Sequence, residues 1–191
     1  MDKVSFTSLI RPVQAKEFSK SVSSIDRKNF VPYPWTFKQS VKAPKAYTTN
    51  ICDCTVLGLT DGKDVFMAHL CPTQSVNHNR FELRRLLALN MDMKSPNLQA
   101  VLIGSKNTKI SQKLYDMLKE TVDGFRIPCS EMKISGDSGC SISTAYSAEK
   151  DEWLISCAKI DKLIKSGVKD NLEILKNVFK KVNIYDCDEI A

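Results

Sequence analysis

One segment, TTNICDCTVLGLTDGKDVFMAHLCP at residues 48–72, limits the possible folds more than any other part of the chain. It holds the dipeptide Asp61-Gly62 between two runs of strand-forming residues, which is a strong short-range signal for a β-hairpin. A type I′ turn needs a positive φ angle at both central residues, and aspartate followed by glycine satisfies that need. The segment therefore predicts two paired strands, about 47–59 and 64–71, joined by a tight turn whose two-residue loop is Asp61-Gly62.

The two-residue loop fixes which residues face each other across the hairpin. It places Cys54 opposite His69 and, farther from the loop on the same face, Cys52 opposite Cys71. Directly opposed side chains have Cβ atoms about 4.5–5.5 Å apart and point to the same face of the sheet. Both faces of the hairpin are apolar, which predicts that other parts of the fold cover it on both sides. The sequence thus predicts a thiol and an imidazole within reach of each other inside the protein.

This pairing of side chains favours nucleophilic catalysis. An imidazole can take the proton of a neighbouring thiol, and the resulting thiolate is a nucleophile near neutral pH. The imidazole can later protonate a leaving group if a third group fixes its ring orientation. In a regular strand Thr48 lies on the same face as Cys54, so its hydroxyl or carbonyl is the candidate for orienting His69. The predicted catalytic set is therefore Cys54, His69 and Thr48, provided that no bulge interrupts the strand.

Beyond the hairpin, the chain alternates short apolar runs, turn residues and segments of helical periodicity. The predicted helices are 79–90, 109–122 and 170–182, and the further predicted strands are 98–104, 126–134, 140–147 and 153–158. This order predicts an α+β fold with a mostly antiparallel β-sheet or sandwich core flanked by helices.

The charge distribution divides the chain into an arm and a domain. Residues 1–48 carry nine basic and three acidic side chains, so the whole net charge of +6 lies in the first quarter. With its prolines and serines, this quarter predicts a basic arm at 1–46, partly packed or flexible, before a single α+β domain at 47–191. The arm is either a solvated linker or a surface that docks on an acidic partner or an anionic membrane. The aromatic stretch VPYPWTF predicts that part of it folds back onto the domain.

Composition excludes several classes of protein. With 42% hydrophobic residues in a chain of 191, the protein can bury a core and is neither disordered nor a disulfide knot. The neutral remainder shows no basic stripe, which predicts no specific nucleic-acid binding. No apolar run approaches the roughly 18 residues of a membrane helix, and the opening residues lack the apolar region of a secretory signal. Seven cysteines, an odd number, favour reduced thiols in the cytoplasm.

At Thr48, Cys54 and His69 the chain resembles the Cys–His glutamine deamidase superfamily. That superfamily joins the chemoreceptor glutamine deamidases of bacterial chemotaxis to the catalytic domains of toxins of the cytotoxic-necrotizing-factor type. The stretch MAHLCP is similar to the chemotaxis branch, while the short separation of Cys54 and His69 is more like the toxin branch. Two departures stand out. Cys52-Asp53 replaces the usual Gly-Ser of the chemotaxis enzymes, and Ile103-Gly104-Ser105 is a weak counterpart of their glycine-rich segment.

The resemblance implies a fold and a reaction. The fold would be a β-sandwich flanked by helices, and the substrate a glutamine side chain of a partner protein. Cys54 would form a thioester with it, His69 would act as acid and base, and water would release glutamate without a metal or organic cofactor. An amine in place of water would give transglutamination instead. The resemblance also implies a bacterial toxin or effector, acting in the cytoplasm or secreted into the cytosol of a host cell.

Three alternatives give the same residues other roles. Cys52, Cys54, His69 and Cys71 together offer four ligands of the kinds that zinc prefers. In a non-catalytic protein-interaction domain, the cysteines would be small buried apolar residues. A cross-strand disulfide between Cys52 and Cys71 is compatible with the predicted register.

Overall fold

A computed structural model describes residues 9–32, 40–72, 80–104, 108–134 and 141–185, which form two β-sheets with five helices. The strands in chain order are β1 Leu9–Pro12, β2 Val41–Ala43, β3 Lys45–Ile51, β4 Thr55–Thr60, β5 Val65–Leu70, β6 Gln99–Gly104, β7 Cys129–Ile134, β8 Ile142–Ser147, β9 Glu152–Ser156 and β10 Phe179–Asn183. The helices are α1 Ala15–Val22, α2 Arg80–Asn90, α3 Lys109–Gly124, α4 Ala158–Lys165 and α5 Asn171–Val178, and a short 3₁₀ turn spans Arg27–Asn29.

The two sheets are mostly antiparallel. The smaller sheet has four strands in the order β1-β9-β8-β3, and the larger has six in the order β10-β7-β6-β4-β5-β2. Two of the described pairings are parallel, β1 with β9 and β6 with β7. The predicted α+β fold with a mostly antiparallel sandwich core and flanking helices is therefore confirmed.

An apolar core joins the two sheets. Val56 and Met67 of the larger sheet belong to the same buried cluster as Tyr146 and Trp153 of the smaller sheet. Gly58 lies on the same side of β4 as Val56, and a Cβ atom there would overlap the Trp153 indole. The other face of the larger sheet packs against α2 and α3 in a second cluster. The β4–β5 hairpin is therefore covered on both faces, as predicted.

The predicted single strand at 47–59 is wrong, because the chain turns a corner inside it. Strand β3 ends at Ile51 in the smaller sheet, and β4 begins at Thr55 in the larger sheet. Asn50 has a φ of 62°, a left-handed conformation that asparagine tolerates better than most residues. The run of strand-forming residues continues through the corner, so the sequence pattern does not show it.

The predicted two-residue hairpin loop is also wrong. Thr60 pairs with Val65, so the loop has four residues, 61–64. The Asp61 carboxylate accepts hydrogen bonds from the backbone N–H groups of Lys63 and Asp64, both at 2.9 Å. Such local side-chain acceptors stabilise a wider turn in place of the backbone bonds of a tight one. The register is consequently shifted by two residues from the predicted one.

The last predicted helix, 170–182, is too long. Helix α5 ends at Val178, and the chain continues as β10, which pairs antiparallel with β7 at the edge of the larger sheet. Lysines are common on edge strands because they discourage pairing with other chains. In the sequence alone, Lys180 and Lys181 of β10 resemble the polar residues at the end of a helix.

Much of the predicted arm belongs to the packed fold. Strand β1 lies at the edge of the smaller sheet, and β2 lies at the edge of the larger one. Val13 and Val31 are 1% and 0% exposed. The predicted boundary between residues 46 and 47 falls inside β3. The aromatic residues of VPYPWTF, at 33–37, lie outside the described residues. Within the described ranges, no helix is long and apolar enough to cross a membrane.

Candidate active site

His69 is placed between the two sheets by its position on β5. Its partner across the hairpin is Val56, whose side chain lies in the cluster between the sheets, so the imidazole points into the same space. Both His69 and Thr48, which comes from β3 in the opposite sheet, are 0% exposed. A polar pair is therefore enclosed in an apolar interior.

Hydrogen bonds fix the form of the His69 ring. The Thr48 hydroxyl lies 2.7 Å from the Val31 carbonyl oxygen and 2.7 Å from His69 Nδ1. A carbonyl can only accept, so the hydroxyl donates its single proton to Val31 and accepts a hydrogen bond from His69 Nδ1–H. In a neutral imidazole, a proton on Nδ1 leaves the lone pair on Nε2. The basic atom of His69 is therefore Nε2.

Burial lowers the pKa of His69 from 6.5 to about 4. The cause is loss of hydration, which penalises the charged imidazolium in an apolar interior. At neutral pH His69 is therefore uncharged, and it does not hold a proton taken from a thiol at rest. A buried imidazole can still accept a proton during a reaction, when charge develops on the attacking group.

The contact expected between Thr48 and His69 is present, but it arises differently. The prediction placed Thr48 on the same strand as Cys54, whereas the structure brings it across from the other sheet. Val31, the third residue of this hydrogen-bonded group, was not predicted because it contributes only a backbone carbonyl, which residues of every type have. Val31 N–H in turn donates to the Tyr47 carbonyl at 2.8 Å, which holds the carbonyl-bearing segment against β3.

Cys54 lies directly before β4 and is 2% exposed. The predicted direct opposition of Cys54 and His69 is wrong, because His69 faces Val56. A shift of two residues preserves the face to which each side chain points. Strand β4 begins at Thr55, and a continuation of its alternation by one residue would make Cys54 a diagonal neighbour of His69 on the same face. Diagonal neighbours lie about 7–8 Å apart, so a short thiol would have to move toward the imidazole to exchange a proton with it.

Gly104 supports the backbone of Cys54 at the end of β6. It pairs with Thr55 and has a φ of 139°, a conformation that favours glycine. A Cβ atom on Gly104 would overlap the Cys54 carbonyl oxygen and lie 2.8 Å from Thr55 Cα. The sequence gives one hint of this role, a glycine that closes the apolar run LQAVLIG.

The positions of the cysteines do not match a zinc site or a Cys52–Cys71 disulfide. Cys52 is exposed and precedes the corner that leads into β4, whereas Cys54 and Cys71 are buried. Among the described residues, no three His, Cys, Asp or Glu side chains are grouped so as to hold a metal ion. Cys52 and Cys71 are both thiols, so the disulfide that the predicted register allowed is absent. The geometry gives no support to a zinc site at Cys52, Cys54, His69 and Cys71.

No known protein-family model matches this chain, and no curated protein sequence matches it either.

Proposed function

We propose that the protein is a cysteine-dependent amidohydrolase that converts a glutamine side chain of a partner protein to glutamate. Cys54 is the nucleophile, His69 is the general acid and base, and Thr48 orients the His69 ring. The observation that carries this proposal is the pair of hydrogen bonds at Thr48, which assigns the basic lone pair of His69 to Nε2.

The reaction divides into acylation and deacylation. In acylation, Cys54 Sγ attacks the carboxamide carbon while His69 Nε2 takes the thiol proton. The imidazolium then returns that proton to the amide nitrogen, the C–N bond breaks, and ammonia leaves a thioester behind. In deacylation, Nε2 takes a proton from water, the hydroxide attacks the thioester carbon, and glutamate is released as the Cys54 thiol re-forms.

The surroundings of His69 suit the acid half of this cycle. A pKa of about 4 makes the imidazolium a strong acid, which helps to protonate a departing nitrogen. The Thr48 hydroxyl, polarised by its own bond to the Val31 carbonyl, is oriented to stabilise a proton on Nδ1 throughout. No metal or organic cofactor enters these steps.

The nature of the substrate follows from the burial of the nucleophile. Because Cys54 is 2% exposed, the proposal favours a long unbranched side chain with a terminal amide over a backbone amide, which cannot approach a buried thiol as closely. The resemblance extends the proposal to a bacterial effector or toxin, resident in the cytoplasm or delivered to the cytosol of a host cell. Lys16, Lys20, Arg27 and Lys28 are exposed near α1 and support docking to an acidic partner or anionic surface.

Ammonia release tests the proposal. Purified protein is incubated with a protein lysate and with glutamine-containing peptides, and ammonia is measured enzymatically. Cys54→Ser and His69→Ala should each abolish release while thermal unfolding shows that the fold persists. Cys52→Ser is the matched control and should retain activity. Release that persists in Cys54→Ser would contradict the proposal.

A non-catalytic interaction domain is the alternative that the burial of Cys54 favours. Thiol labelling separates the two functions, but Cys52 must first be removed, because it is exposed and will react first. In the Cys52→Ser background, the proposal predicts that a small thiosulfonate reagent labels Cys54 and that His69→Ala slows this labelling. Labelling that is equally slow with and without His69 would favour the interaction domain.

A further inference from the structure

We infer that Cys54 and Cys71 are a thiol pair that an oxidant of the peroxide class joins in a disulfide. The inference concerns Cys71, to which the proposed reaction assigns no role. It depends on the proposed function only for its effect on activity, since the disulfide itself forms whether or not Cys54 is a catalyst.

The hairpin register brings the two cysteines together. The β4–β5 pairing ends at Thr55 with Leu70, and its continuation by one residue would place Cys54 opposite Cys71. Opposed residues of antiparallel strands have Cα atoms about 4.5–5.5 Å apart, and disulfides span about 4.4–6.8 Å. The four-residue loop is decisive, because the two-residue loop would have opposed Cys71 to Cys52 instead.

The surroundings of the pair favour this partner over the other described cysteines. Cys54 and Cys71 are 2% and 4% exposed, whereas Cys52 is exposed in the connection between β3 and β4. Cys129 begins β7, and Cys157 follows β9 in the smaller sheet. Strand β4 lies between β5 and β6, and the Cys54 carbonyl lies against Gly104 at the end of β6.

The oxidation balances with one peroxide. The sulfur of Cys54 attacks a peroxide oxygen, the O–O bond breaks, and the products are a Cys54 sulfenic acid and one water. The sulfur of Cys71 then attacks the sulfenic sulfur, the S–O bond breaks, and a second water leaves. Two thiols lose two electrons, one peroxide gains them, and both thiol protons end in the two waters.

The disulfide would turn off the proposed enzyme reversibly. A sulfur bonded to Cys71 cannot attack a carboxamide, and a dithiol reductant restores it by exchange. Cys71 would also protect Cys54 from further oxidation to sulfinic acid, which reductants do not reverse.

Peptide mapping after peroxide treatment tests the inference. The full chain is treated with hydrogen peroxide, remaining thiols are alkylated, and the protein is digested with trypsin, which cuts after Lys63 and so separates the two cysteines. Cys52 shares a tryptic peptide with Cys54, so the Cys52→Ser variant assigns the bond. We expect a peptide linked through Cys54 and Cys71 in that variant, with both thiols recovered after dithiothreitol.

Cys71→Ser supplies the contrasting result. Without its partner thiol, Cys54 should be oxidised to sulfinic acid by the same treatment, and dithiothreitol should not restore it. The inference is overturned if Cys54 links to Cys52 in the wild-type chain. It is equally overturned if Cys54 reaches sulfinic acid while Cys71 stays reduced.

The mass readout keeps this inference separate from the proposed function. If the linked peptide forms but no ammonia is ever released, the disulfide stands and the proposed function fails. If ammonia release depends on Cys54 but the peptide never forms, the proposed function stands and the disulfide fails.

Discussion

Among individual side chains, Thr48 has the most consequences because one hydroxyl serves two partners. It donates to the Val31 carbonyl and accepts from His69 Nδ1–H, both at 2.7 Å. Neither the Val31 carbonyl nor the His69 ring can bond to water instead, since Val31, Thr48 and His69 are all fully buried. Loss of this hydroxyl therefore leaves a buried donor and a buried acceptor without their shared bond, which is costly in an apolar interior.

Thr48→Val, which keeps the shape and removes the hydroxyl, should weaken both the fold and the proposed activity. We expect a loss of about 1–3 kcal/mol in the free energy of unfolding, the usual cost of an unsatisfied buried polar group. Misorientation of the ring should lower kcat for ammonia release by about 100-fold. Thr48→Ser keeps the hydroxyl and is the control. Equal losses in Thr48→Ser and Thr48→Val would show that the hydroxyl does not orient His69.

The low pKa of His69 makes stability depend on pH. Its pKa is about 4 in the folded protein against an ordinary value of 6.5, so the unfolded chain binds one more proton between these values. Above pH 6.5 His69 does not lower the free energy of unfolding. As the pH falls toward 4, protonation of His69 in the unfolded chain lowers that free energy by roughly 3 kcal/mol in total.

Urea unfolding from pH 4.5 to 7.5 checks this dependence. The free energy of unfolding should fall toward acid more steeply in the wild-type protein than in His69→Gln, which cannot be protonated. Taking the difference between the two proteins removes the contribution of the carboxylates. Parallel pH profiles would show that His69 titrates normally in the folded state.

The contacts of His69 were only partly predictable from the sequence. The contact between Thr48 and His69 was predicted, although from a continuous strand 47–59 that the structure divides into β3 and β4. That Cys54 shares a face with His69 stays a prediction, and the register error does not remove it because the shift is an even number of residues. Val31 could not be predicted, since its contribution is a carbonyl that only the three-dimensional path of the chain brings to Thr48.

Among the strands, the fit between the two sheets depends on one residue without a side chain. Gly58 on β4 lies against the Trp153 indole of β9, and Trp153 is itself 0% exposed. The tryptophan ring also contacts Tyr146, with ring centroids 5.0 Å apart. A larger residue at this position has no space unless the sheets separate.

Gly58→Ala should be strongly destabilising. The added methyl group overlaps a ring that is packed on all sides, and overpacking of this kind costs about 1–3 kcal/mol or more. Gly124→Ala, at the end of α3, is the matched control, since the nearest heavy atom to its Cβ would be 3.7 Å away. We expect it to be neutral or to stabilise by up to about 1 kcal/mol. Thermal unfolding of both variants measures this, and equal melting temperatures would contradict the packing described.

Element types were easier to predict than element ends. Strong apolar periodicity located α2, α3 and β5–β9 close to their observed ranges. The hairpin register was not predictable from that pattern, because a slip of two residues leaves every side chain on the same face. The loop was decided instead by Asp61, whose carboxylate accepts two backbone N–H groups.

For the protein as a unit, the important question is whether the basic first quarter can be removed. Charge counts suggested an arm, yet Ile10, Val13, Phe18 and Val31 are all buried. Charge counting does not register such scattered apolar residues, and it gives no weight to an edge strand such as β1. The first quarter therefore supplies an edge strand to each sheet and the Val31 carbonyl that accepts the hydrogen bond from Thr48.

A truncated chain of residues 47–191 should fail to fold. It lacks β1, β2 and the start of β3, so the edges of both sheets and part of the core are exposed. We expect no cooperative thermal transition by circular dichroism, in contrast to the full chain. A truncated chain that unfolds cooperatively near the melting temperature of the full protein would show that residues 47–191 fold without the first quarter.

The proposed function requires that Cys54, acting with His69, hydrolyses the side-chain amide of a protein glutamine. Mass spectrometry of a lysate treated with wild-type protein, Cys52→Ser or Cys54→Ser tests it most directly. We predict that at least one glutamine site gains the mass of an amide-to-acid conversion with the wild-type protein and with Cys52→Ser, and that the same site is unchanged with Cys54→Ser. If no glutamine is converted by the wild-type protein beyond the Cys54→Ser level, the claim is contradicted.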